Sequence, residues 1–97
     1  MDKRLEKLSK TIVEYSIKVK KNDRVLIQYE DSRCKPLVKL LIDDICEKGA
    51  IPTVRLFDLE LESKIREKAS DKLIDEIVKS KKYDVDNFDC FIRICYN

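Results

Sequence analysis

The amino-acid sequence predicts an α/β domain built on a three-stranded parallel sheet, with helices on both faces. The stretch from Asp23 to Asp58 reads as a complete βαβ unit: the apolar run Arg24-Val25-Leu26-Ile27-Gln28-Tyr29, an amphipathic helix, a stop at Gly49, then Ile51-Pro52-Thr53-Val54-Arg55-Leu56. Two β-rich runs joined by a helix-length connection lie parallel, because a right-handed crossover returns the helix onto a twisted sheet. A third β-rich run, Asp89-Cys90-Phe91-Ile92-Arg93-Ile94-Cys95, follows a further helical stretch. With 97 residues and a net charge of only +2, the chain suits one small domain, residues 1–97, with one core.

Each element has a local cause. Leu5, Leu8, Ile12, Tyr15 and Val19 recur at steps of 3, 4, 3 and 4 and predict a first helix from Lys3 to Val19, with Lys3, Lys7, Lys10, Glu14 and Lys18 opposite. Asn22-Asp23 supplies the turn into the first strand, whose continuous apolar centre predicts burial on both faces and a central place. The second helix begins around Cys34 to Pro36, since proline is tolerated in a first turn. Its stripe is Leu37, Leu41 and Ile45, flanked by Val38, Leu40 and Ile42, and Gly49 can take the left-handed cap. Pro52 cannot donate to a ladder, which sends the second strand to an edge and gives the order 2-1-3. Asp58 and Ser70 are N-caps dividing Leu59 to Ser80 into a helix ending near Ala69 and another from Asp71 to about Lys79. The pattern is Rossmann-like, without a glycine-rich loop.

Composition removes several functions. Charged residues make up 41% of the chain, but 21 basic and 19 acidic side chains are mixed, which is not a nucleic-acid footprint. The clusters Lys18 to Lys21 and Lys79 to Lys82 fall near the expected helix ends, where cations complement the helix dipole. No apolar run approaches the roughly 20 residues that span a bilayer, and MDKRLEKL contains no signal core, so a cytoplasmic, membrane-free protein is expected. Cys34, Cys46, Cys90 and Cys95 lack metal-ligand spacing and read as reduced, mostly buried thiols.

Histidine is absent, which removes the usual general base and metal ligand, and with one glycine no phosphate-cradling loop can form. The polar groups at the expected strand ends are Glu30-Asp31-Ser32 and Asp58. They suit either a carboxylate pair for a metal or substrate amine, or turn and N-cap chemistry, and the second reading is favoured. Asp43-Asp44, Asp84, Asp86 and Asp89 match no calcium loop and read as solvated face and turn. The tyrosines Tyr15, Tyr29, Tyr83 and Tyr96 and the three phenylalanines read as core or core edge. On these grounds no catalytic, cofactor-binding or metal-ligating residue is assigned.

The strings LEKLSKTIVEYSIKVKKNDRVLIQYED, PLVKLLIDDICEKGAIPTVRLFD and NFDCFIRI resemble the amino-terminal region of the leucyl aminopeptidase T and aminopeptidase S family, also called thermophilic metalloproteases. The likeness covers nearly the whole chain and is carried by VKKNDRVLIQ and EKGAIPTVRL at the right separation, followed by EKASDKLIDE. It implies a longer parent enzyme that releases amino-terminal residues from peptides. The parent would use two divalent ions, zinc or cobalt, held by Glu, His and Asp ligands in a carboxyl-terminal domain. None of those ligand positions falls on this sequence. The implied role here is therefore that of an amino-terminal, non-catalytic domain walling the substrate cleft. Its partners would be the enzyme's own carboxyl-terminal domain, peptide substrates and a second copy of the chain.

The competing expectation is a free-standing α/β module that binds a small ligand or protein at its strand ends. On either reading, ligands gather beyond Tyr29-Glu30-Asp31, Leu56-Phe57-Asp58 and Tyr96-Asn97, and apolar surface around Phe57, Phe91 and Tyr96 favours self-association.

Overall fold

The computed structural model describes residues 2–95. Helix α1 (Lys3–Thr11) runs into a π-helical turn at Ile12–Ser16, and β1 (Arg24–Tyr29) follows. A 3₁₀ turn at Ser32–Cys34 leads into α2 (Lys35–Glu47), then come β2 (Ile51–Leu56), α3 (Leu59–Lys68), α4 (Asp71–Asn87) and β3 (Cys90–Ile94). The strands form one parallel sheet in the order β2-β1-β3.

The amides of Ile51 and Phe57 donate to the Asp23 and Tyr29 carbonyls, so odd-numbered amides of this segment face β1. Pro52, opposite Val25, therefore turns its missing N–H toward the open edge, where no ladder bond is lost. Gly49 ends α2 at φ +77° as expected, with the Ala50 amide reaching back to the Ile45 carbonyl at 3.2 Å.

Strand alternation and the parallel register sort the side chains onto two faces. Val25, Ile27 and Tyr29 share one face with Pro52, Val54 and Leu56 and with Cys90, Ile92 and Ile94. On this packed face the core forms: Val25 and Ile27 are sealed by Val38, Leu41 and Ile45 of α2 and by Val13. Leu26 and Gln28 share the other, open face with Thr53, Arg55, Phe91 and Arg93. All three central residues of β1, Val25, Leu26 and Ile27, are buried, as a central strand requires.

Five local expectations need correction. The first helix stops at Ser16 rather than Val19, because the π turn bonds the Ile17 amide to the Ile12 carbonyl and inserts a residue into the helical phase. The buried positions are consequently Ser9 and Val13, while Tyr15 is 71% exposed. The last helix continues to Asn87 instead of ending near Lys79, since nothing between them breaks a helix, and the Asn87 side chain caps it by donating from Nδ2 to the Tyr83 carbonyl. Lys79 to Lys82 thus lie within α4 and not at its end, and the exposed Tyr83 is not core edge. Of the four free cysteines, Cys34 and Cys90 are buried but Cys46 and Cys95 are exposed.

Asp44 is the fifth correction. It is no solvated face but the joint between α1 and α2, accepting from the buried Ser9 hydroxyl at 2.6 Å and pairing with Lys10 at 3.2 Å. Tyr96 and Asn97, expected to end the third strand, lie outside the described residues.

Candidate functional site

Over the open face stand α3 and α4, and between them and the sheet lies a cleft of about 700 Å³. The sheet contributes Leu26, Gln28, Arg55, Phe91 and Arg93 to it. The helices turn polar side chains inward, Glu62, Ser63 and Arg66 from α3 and Ser80, Lys81 and Asp84 from α4. Such groups keep their hydration more cheaply than they would lose it, so the cleft does not collapse into a dry core.

Two arginines in alternating strand positions organise the floor. Arg55 donates to Asp84 of α4 at 2.6 Å and lies 5.6 Å from the centre of the Phe88 ring. Arg93 donates to Glu30 at 2.8 Å and stacks 5.1 Å over Phe57, closing the carboxyl ends of β1, β2 and β3 with one side chain. Glu30 in turn holds the Arg93 guanidinium firmly protonated. Phe88 meets Phe91 edge to face at 6.2 Å. Arg66 and Lys81 add two further cations against the single remaining carboxylate, Glu62.

The polar residues singled out in the sequence do not converge. Asp31 caps the 3₁₀ turn by accepting the Arg33 amide at 2.8 Å and the Arg33 guanidinium at 2.8 and 2.9 Å. Those bonds hold its carboxyl at about 2, below the ordinary carboxylate range. Asp58 caps α3 through the Leu61 amide at 3.1 Å, while Glu30 belongs to Arg93 and Ser32 to the turn. Asp84 and Asp89 are structural as well. Asp89 accepts from the Arg24 backbone at 2.8 Å and side chain at 3.4 Å, which lowers its pKa.

Among the described residues no group of three or more His, Cys, Asp or Glu side chains is placed to hold a metal ion. Sequence reasoning missed Arg55 and Arg93, whose signal is a cation alternating with apolar residues inside a strand, a place that asks for a partner across the fold.

The fold and cleft define a histidine-free, Rossmann-like α/β domain with an arginine-floored recess at its strand ends. The model of the thermophilic metalloprotease family (M29) matches residues 1–97, and the chain belongs to that family. No curated protein matches it with significant similarity. Among the described residues no helix is long and apolar enough to cross a membrane.

Proposed function

We propose that this chain is the amino-terminal, non-catalytic domain of a metal-dependent aminopeptidase and that it forms one wall of the substrate cleft. The observation that supports this reading is a mismatch: the family model covers residues 1–97, yet the matched region has no histidine and no described cluster of metal-ligand side chains. Metallopeptidase chemistry needs such ligands to bind an ion and lower the pKa of its water. The two divalent ions, zinc or cobalt, would then be held by a carboxyl-terminal domain of a longer polypeptide, and this domain would shape access for short peptides. Its four free cysteines favour a reducing compartment, the cytoplasm.

The purified chain, assayed on di- and tripeptides with added Zn²⁺, Co²⁺ or Mn²⁺, should release no amino acids. The longer product of an open reading frame continuing into spaced Glu, His and Asp ligands should release them. Metal-dependent release by the homogeneous chain alone would overturn the proposal, and so would a stop codon directly after Asn97.

A further inference from the structure

Six charged side chains line the cleft over the open face, and three of them are already matched. Arg55 and Asp84 hold each other, and Arg93 is held by Glu30. Glu62, Arg66 and Lys81 remain, and among the described residues their side chains make no hydrogen bond or ion pair. Glu62 stands four residues before Arg66 on α3, the order in which acid and base pair most readily along a helix. Both instead line the cleft unpaired, one turn apart.

These free charges restrict what can enter. Two cations against one carboxylate leave a net positive charge, so an anionic group is drawn to Arg66, with Lys81 adding to the field from α4. A phosphate is poorly served, because it is held best by free backbone amides at a helix N-terminus. The first turns of α3 and α4 already donate to Asp58 and Ser70, at 3.1 and 3.3 Å. A carboxylate needs only the guanidinium. Glu62 repels a plain carboxylic acid, however, and asks for a cation on the same molecule. The rest of the lining is largely apolar. Leu26 lies in the floor, and Phe91 and Ile65 keep 47% and 48% of their surface exposed although they line a recess. The volume of about 700 Å³ lies within the range of about 300 to 1,000 Å³ for small-molecule sites, which are mostly apolar with a few polar groups fixing orientation.

We propose that the cleft binds an apolar α-amino acid as its zwitterion, with the ammonium on Glu62, the carboxylate on Arg66 and the side chain against Leu26, Ile65 and Phe91. An aminopeptidase releases such molecules, so the site would let the domain sense product. The binding itself follows from the cleft's own groups and does not rest on the metallopeptidase reading.

Amide chemical shifts of the isotope-labelled full chain, titrated with L-phenylalanine, test this. Shifts should concentrate at Leu26, Glu62, Arg66 and Phe91 and fit a Kd of about 1 mM or tighter. Phenylalanine amide, without the carboxylate, and N-acetylphenylalanine, without the ammonium, should each bind at least about 10-fold more weakly. Inorganic phosphate should leave these amides unmoved. Glu62→Gln should weaken phenylalanine about 10-fold and bring N-acetylphenylalanine level with it, a change of preference that loss of fold cannot produce. Arg66→Gln should weaken both. The proposal is overturned if phenylalanine moves no cleft amide up to about 20 mM, or if either blocked derivative binds as tightly as phenylalanine itself. It is equally overturned if inorganic phosphate occupies the cleft more tightly, or if both folded variants bind phenylalanine like the unmodified chain.

Discussion

The two faces of the sheet share the same three strands yet are covered in opposite ways. On the packed face the strands offer Val25, Ile27, Tyr29, Val54, Cys90, Ile92 and Ile94, and α2 answers with Val38, Leu41 and Ile45. On the open face Leu26 and Phe91 alternate in register with Gln28, Arg55 and Arg93, and the helices answer with Glu62, Arg66, Lys81 and Asp84. Burial on this domain is thus decided by the pairing of two compositions. A helix can stand over a sheet and leave little more than its centre, Leu26, buried when both sides bring charges.

The comparison can be broken most directly in the strand that carries both faces. Ile27→Ala, at a fully buried position, should cost about 4 kcal/mol in urea unfolding, and Leu26→Ala on the open face nearer about 2 kcal/mol. Equal losses would mean that the open face is as well sealed as the other. The joint between α1 and α2 comes next. Asp44→Ala strands the buried Ser9 hydroxyl and should cost about 1 to 3 kcal/mol, whereas Ser9→Ala/Asp44→Ala should be milder than the sum of its parts in a double-mutant cycle.

On the open side the expected effects shrink. The Arg55 to Asp84 pair is solvent-accessible, and its coupling energy should fall within about 1 kcal/mol and weaken further with salt. A coupling several times larger would show that the cleft excludes water. The smallest effect concerns acid. The Asp31 carboxyl is depressed in the folded chain, so its contribution is complete above about pH 4 and disappears as pH falls toward about 2. Asp31→Asn should therefore flatten the acid limb of the stability profile in that window and leave neutral pH nearly unchanged. Unchanged acid limbs would show that the Asp31 to Arg33 contact persists in the unfolded chain.

Most of the sheet was legible in the sequence because its causes are local. The apolar run of β1 asks for burial on both faces, the proline in β2 removes a ladder donor and the glycine after α2 permits a left-handed cap, each wherever it occurs. The end of the first helix was not legible, because its apolar residues fit two helical phases and the choice is made by a contact 35 residues away, between Ser9 and Asp44. The length of α4 was hidden by Asp84-Val85-Asp86, which has turn composition without a glycine or proline to enforce a turn. In the candidate site, Asp31 and Asp58 were readable as caps. Arg55 and Arg93 were not readable as its floor, because their carboxylate partners lie 29 and 63 residues away.

The junction of Asp89 with Arg24 bears on the order in which the sheet assembles. Asp89 takes the Arg24 amide on its side chain and returns its own amide to the Arg24 carbonyl at 2.8 Å, fastening β3 to β1 across 65 residues of chain. The pairing of Arg24 with Ile51 closes a loop less than half that long, a difference of about 0.8 kcal/mol in closure entropy. The β1-α2-β2 unit therefore has the lower entropic threshold, and β3 is the strand added last and released first. Native-state hydrogen exchange should find the Phe91 and Arg93 amides, which face β1 as that of Asp89 does, opening at lower free energy than those of Val25 and Ile27.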